Sequence, residues 1–130
     1  HIFEEITMDQ TILQRCEAGI EAWKTAFNNQ DAAGCAAQYE ENAEMRAKPF
    51  GTFNGREAIQ AFWQNIIDQG FAEVEYSNVK WQAIGDDGYL LSSEWTMNKA
   101  FGVVHREHWK IQADGTARLH DDEFEVQGER

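Results

Sequence analysis

The stretch HREHWKIQADGTARLHDDEF, residues 105–124, sets three histidines and a tryptophan among a run of carboxylates. Such side chains can move protons, stabilise an oxyanion or bind a metal ion. Which of these is open to them depends on which share a face. Asp114-Gly115 is a strong hairpin signal, and strand side chains alternate between the two faces of a sheet. A two-residue turn there sets Trp109 opposite His120, Glu107 opposite Asp122 and His105 opposite Phe124. It puts His108 opposite Asp121 and Arg106 opposite Glu123 on the other side. The first face, from Val103 and Ile111 to Arg118 and Val126, is apolar at its ends and polar in its middle, so it is expected to face the core. The second carries oppositely charged cross-strand pairs, each worth about 0.2–1 kcal/mol, and reads as an outer surface.

Glu107 against Asp122 is the unusual feature. Like charges directly opposite one another destabilise a sheet. Burial and mutual repulsion both raise a carboxyl pKa, so the pair is expected to share a proton. His105 and His120 fall on the same face, and a cluster of titratable groups walled by Trp and Phe is how a ligand or catalytic pocket is usually built. The alternative is a satisfied polar network in the core, or a slipped register that returns the four residues to solvent. His105 and His108 resemble a chelating pair but fall on opposite faces. His105, His120, Glu107 and Asp122 could in principle form a two-histidine, two-carboxylate site for Zn, Fe or Mn. No recognised ligand spacing supports it, so neither a metal nor a cofactor is assigned. A two-residue turn at Asp87-Gly88 puts Trp81 opposite Glu94 and Ala83 opposite Ser92, with Trp95 and Met97 pointing outwards. Glu94 then either joins the pocket beside Trp81 or is a surface acid. Trp23, Trp63, Trp81, Trp109 and Phe124 would wall an apolar ligand, unless they are ordinary core. Arg46 and Lys48 are expected outside the pocket or at its rim.

The elements that position these groups follow from periodicity. A helix is expected from near Thr7 or Asp9, with Thr7 and Gln10 as a capping box and Leu13, Cys16, Ile20, Trp23 and Phe27 as its apolar stripe. Asn28-Asn29-Gln30 ends it, and Asp31 caps a short second helix running to about Tyr39. An extended piece spans Met45–Lys48. Gly51-Thr52-Phe53-Asn54-Gly55 reads as a loop and helix cap, without the Gly-Lys-Ser/Thr of a phosphate loop. Asn54 caps a third helix with the stripe Ile59, Phe62, Trp63, Ile66 and Ile67, and Gly70 stops it. Beyond Gly70 the period becomes two, and strands are expected over about 72–84, 89–98, 102–112 and 116–127. Helices followed by antiparallel strands make an α+β domain.

The chain has 130 residues, 42% of them hydrophobic, with five Trp and eight Phe, enough for a real core in a single domain. A net charge of −12 argues against nucleic acid and against an anionic membrane surface. Cys16 and Cys35 lie in helical stretches and read as buried free thiols rather than a disulfide or a metal pair. No apolar run approaches the ~20 residues of a membrane span. A cytoplasmic location is expected, with a removed targeting segment left open.

The order of elements resembles the nuclear transport factor 2-like superfamily, which includes SnoaL-like polyketide cyclases and ketosteroid isomerases. The resemblance covers about residues 10–127 and rests on GIEAWKTAFNNQDAAGCAAQYEENAEM, FNGREAIQAFWQNI and HREHWKIQADGTARLHDDEFEV. It implies a cone, cystatin-like in form, in which a curved antiparallel sheet wraps around three N-terminal helices. It also implies a pocket for a small apolar or aromatic molecule and a homodimer through the outer sheet face. Glu107 falls where the isomerases have a protonated oxyanion-hole Asp, and His120, Asp122 and Phe124 on pocket positions of the last strand. Ala47 stands in the place of the isomerase base and Trp23 in that of its oxyanion tyrosine, so isomerisation by that mechanism is not expected. Two functions remain open. One is an isomerase, cyclase or hydratase-like enzyme, with His120 or Asp122 as base and protonated Glu107 stabilising an oxyanion. The other is a non-catalytic ligand-binding or oligomerisation module.

Overall fold

The computed structural model describes residues 11–130. Thr11 caps the first described helix, α1 (Ile12–Asn28): its hydroxyl accepts from Gln14 N at 3.1 Å and the Gln14 side chain accepts from Thr11 N at 3.0 Å. This reciprocal pair is a capping box. The Thr7–Gln10 box, and a start near Thr7 or Asp9, lie outside the described residues. Cys16, Ile20, Trp23 and Phe27 are buried along the expected stripe, joined by Gly19, while Leu13 is only half-buried. Both cysteines are buried free thiols.

Asp31 caps α2 (Ala32–Ala37), accepting from Gly34 N at 2.9 Å. The helix stops two residues before Tyr39, which instead opens the strand β1 (Tyr39–Lys48), longer than the extended piece expected at its end. The segment read as a loop is a strand, β2 (Gly51–Asn54), antiparallel to β1. Asn54 pairs with Glu44 in that ladder, so it is not the cap of α3 (Arg56–Asp68). The cap is Gly55, whose φ of 89° suits a glycine, with no side-chain bond. Gly70, φ 90°, follows the helix as expected.

Four strands complete the chain: β3 (Glu75–Ile84), β4 (Gly88–Thr96), β5 (Ala100–Ile111) and β6 (Ala117–Glu129). They join β1 and β2 in one six-stranded sheet of order β2-β1-β6-β5-β4-β3. Every pairing is antiparallel except β1 with β6, which run parallel. The architecture is α+β, helices first and a curved, unclosed sheet after, with the core between them. Trp23 and Phe27 of α1 stack at 5.4 Å, Trp63 of α3 meets Trp23 edge-on at 5.0 Å, and Phe124 of β6 stacks on Trp63 at 5.5 Å. Offset and edge-on contacts of this kind favour aromatic pairs beyond the area they bury. Among the described residues, no helix is long and apolar enough to cross a membrane.

Gly102 of β5 is where this packing tolerates least. A Cβ there would lie 1.9 Å from the Glu125 carbonyl oxygen and 2.7 Å from the Trp95 ring. The carbonyl belongs to the neighbouring strand's backbone and cannot rotate aside. Gly102→Ala is therefore expected to cost about 1–3 kcal/mol through overpacking, seen as a lower urea midpoint with an unchanged m-value.

Candidate active site

The β5–β6 hairpin decides which side chains meet. Its loop has three residues rather than two: Gln112 N donates to the Thr116 carbonyl at 2.8 Å, and Gly115 takes φ 87°. The ladder accordingly begins with Ile111 opposite Ala117 and Trp109 opposite Leu119. A bulge then leaves His120 unpaired and moves the register by one, so Glu107 faces Asp122 and His108 faces Asp121. A second bulge leaves out His105 and moves it back, setting Val104 against Phe124. A bulged residue is free to turn away from the face its number assigns. His105 and His120 are both exposed, and Val104 and Leu119 take their places in the core. Neither histidine joins the carboxylates, and the two-histidine, two-carboxylate set does not form.

The β3–β4 turn likewise holds three residues, with Ile84 opposite Gly88 and Trp81 opposite Leu91. Glu94 pairs with Ser77, is exposed and accepts from the Asn78 side chain, so it is outside the cavity. Trp95 and Met97, expected to point outwards, are buried in the core. Trp81 is half-buried and set edge-on to Tyr89 at the surface.

Glu107 and Asp122 are 3% and 4% exposed and line a cavity of about 20 Å³, room for about one water. Trp23, Trp63 and Phe124 form part of its wall, as do Tyr39 and Tyr76. Trp109 stands behind Glu107. Glu107 accepts twice, from Tyr76 Oη at 2.6 Å and from Trp109 Nε1 at 2.8 Å. Asp122 accepts once, from Tyr39 Oη at 2.7 Å, and its Oδ1 has no partner. The indole N–H group of Trp23 is also buried without a partner. A hollow of about 110 Å³ lies alongside, and Trp63, Trp95, Met97 and Phe124 line both spaces.

Burial pushes the Glu107 carboxyl up to about 7, against the two hydrogen bonds that favour its charged form. Asp122 is raised well above the ordinary carboxyl range, first by burial and then by the charge of Glu107. Burial and the same carboxylates hold Tyr39 and Tyr76 above the usual tyrosine range, so both remain donors. With two donors aimed at Glu107 and one at Asp122, the single negative charge rests best on Glu107 and the proton on Asp122.

That assignment has a stability consequence. The native state holds a proton on Asp122 at pH values where the unfolded chain has released it, so stability falls as pH rises. The Asp122 proton alone contributes a slope of about 1.4 kcal/mol for each pH unit over which that holds. Asp122→Asn mimics the protonated acid. It is expected to leave the melting temperature unchanged near pH 4 and to raise it above wild type at pH 8. Equal melting temperatures at pH 8 would place the proton elsewhere.

Tyr39 and Tyr76 were not legible in the sequence. Tyr39 is 83 positions from Asp122, and Tyr76 is 31 from Glu107. The available signal for Tyr39 was the alternation Met45, Ala47 continued backwards through Ala43, which marks a strand reaching far ahead of residue 45.

The profile of the SnoaL-like domain family matches residues 20–123. No curated protein sequence matches the chain. Solved structures resemble it closely in fold and distantly in sequence. A protein assigned as a scytalone dehydratase from Novosphingobium aromaticivorans aligns with TM-score 0.77 and 14% identity, over 91% of this chain and 85% of that one. ActVI-ORFA from Streptomyces coelicolor aligns with TM-score 0.75 and 14% identity, over 90% and 98%. A ketosteroid isomerase-like protein from Erwinia carotovora atroseptica gives 0.73 and 14%, over 86% and 93%. Likeness at this identity establishes the fold and leaves the chemistry to the site.

Proposed function

The chain belongs to the SnoaL-like domain family, and from that membership we propose that it is a small-molecule enzyme whose acid–base chemistry is carried out by Glu107 and Asp122. Proteins of this fold include isomerases, dehydratases and cyclases. Such reactions share one demand: a base for a carbon-bound proton and a donor for the oxygen that gains charge. The observation that carries the reading is the pairing of two buried carboxyl groups, hydrogen-bonded unequally, across one wall of an aromatic cavity.

Glu107, as the carboxylate, takes a proton from the carbon next to a substrate carbonyl. The C–H electrons form the enolate C=C bond, and the carbonyl π electrons move onto oxygen. Asp122 Oδ1–H donates to that oxygen, assisted by the unpartnered indole N–H of Trp23. Return of the proton from Glu107 to a different carbon completes an isomerisation. In a dehydration the enolate electrons re-form the C=O bond, the C=C bond forms as the β C–O bond breaks, and Glu107 gives its proton to the departing hydroxyl, which leaves as water. This division of roles reverses the one expected from the resemblance and does without histidine. Trp63, Phe124 and their neighbours select a small apolar or aromatic carbonyl compound. A typical ligand pocket of ~300 Å³ or more exceeds the space present, so binding requires the partition of Trp63, Trp95, Met97 and Phe124 to give way towards the adjacent hollow. The outer sheet face is read as a homodimer surface on the family resemblance alone; sedimentation equilibrium decides it.

Deuterium exchange tests the chemistry without knowledge of the natural substrate. A panel of β-hydroxy and β,γ-unsaturated aryl ketones is incubated in D₂O and followed by proton NMR. At least one member is expected to exchange or eliminate faster with the wild type than with Glu107→Gln. If every member reacts at the buffer rate, while phenols bind and are recovered unchanged, the protein is a binding module.

A further inference from the structure

The outer face of the sheet holds a cluster that the acid–base reading leaves unused. His108 lies opposite Asp121 in the ladder, and the bulge at His120 brings a second imidazole against the first, ring centroids 5.1 Å apart. One ligand atom from each of His108, His120 and Asp121 lies within 4.8 Å of the other two. His108 Nδ1 stands 3.7 Å from Asp121 Oδ2, too far for a hydrogen bond. Two ligands each about 2.0–2.1 Å from a tetrahedral ion stand roughly 3.4 Å apart, so little movement would let both reach one ion.

Two further observations point to a ligand. Both ring nitrogens of His108 are buried without a hydrogen-bond partner, which is costly for a polar group unless something fills the gap. His120 is held in the opposite way: its Nδ1 lies 2.7 Å from Glu40 Oε1, and the other Glu40 oxygen accepts from Gln112 Nε2 at 2.7 Å. With Nδ1–H donated to Glu40, Nε2 keeps its lone pair. A carboxylate behind a histidine is the usual second support of a metal ligand.

We propose that His108, His120 and Asp121 form a divalent-cation site on the outer sheet face, with Glu40 positioning His120 and water completing a tetrahedral set suited to Zn²⁺. Two imidazoles and one carboxylate are a common zinc donor set. Arg106 competes for Asp121 through bonds of 2.6 and 3.2 Å, and Arg46 lies 3.8 Å from it. Asp121 must therefore be shared between guanidinium and metal. The site stands on the other side of the sheet from Glu107 and Asp122 and is independent of the proposed activity.

Calorimetric titration of the chelator-treated full chain with ZnCl₂ tests the site. The wild type is expected to bind one Zn²⁺ per chain, and Co²⁺ in its place to show the visible bands of tetrahedral coordination. His108→Ala and His120→Ala are each expected to weaken binding at least tenfold. His105→Ala, which removes an exposed histidine paired with Glu125, should not change it. Arg106→Gln keeps both imidazoles and should tighten binding several-fold by releasing Asp121. Failure of the wild type to bind stoichiometrically overturns the site. So does equal affinity in the double variant His108→Ala/His120→Ala, or binding by Arg106→Gln that is no tighter than wild type.

Discussion

Glu107→Gln is expected to lower kcat/KM on any substrate found by exchange by about 10²–10⁴-fold, the range for loss of a positioned general base. Glutamine keeps the shape and the acceptor for Tyr76 but cannot take a proton. KM should change little, because the amide still fills the same wall. The wild-type rate is expected to rise with pH through about 7 as the Glu107 carboxyl ionises, then to fall when the second proton of the pair leaves. These are values of the dyad rather than of either residue. In Glu107→Gln the rising limb should vanish. Asp122→Asn supplies the contrast, since its amide still donates to an oxyanion and should lose less activity than Asp122→Ala. If Glu107→Gln retains wild-type turnover, Glu107 is not the base.

Trp109→Ala should have the largest effect on stability, about 3–5 kcal/mol by the usual cost of emptying a buried aromatic site. Against a typical total of ~5–15 kcal/mol, that is enough to leave much of the protein unfolded when warm. Trp109 is fully buried, and α1 crosses it so closely that a Cβ on Gly19 would lie 2.6 Å from the ring. Gly19 has no side chain of its own to fill the void. Trp109→Phe separates packing from hydrogen bonding. It keeps most of the volume but removes the Nε1–H donor to Glu107, leaving Tyr76 alone to stabilise that carboxylate. The rising limb of the pH–rate profile should then move above 7 while the fold persists. Loss of stability without that movement would mean the indole contributes only bulk.

The sequence by itself determined the class of fold and the short hairpin that carries the central pair. Spacing of three and four in Cys16, Ile20, Trp23 and Phe27, then alternation beyond Gly70, is a local signal set by helix and strand geometry. Glu107 opposite Asp122 was legible for a related reason, because the hairpin joining them is short. Even so, the turn proved to have three residues, and the expected register was restored at that pair by the bulge at His120. The faces of His105 and His120 could not be read, since side chains alternate with period two and each bulge reverses the faces of the residues beyond it. An equivalent shift in the β3–β4 turn put Trp95 and Met97 inside and Glu94 outside. The parallel pairing of β1 with β6, which brings Tyr39 to Asp122 and Glu40 to His120, joins residues some 80 positions apart. Only the tertiary structure decided these contacts. They depend on how a curved sheet closes over its helices, and no residue's near neighbours in the chain carry that information.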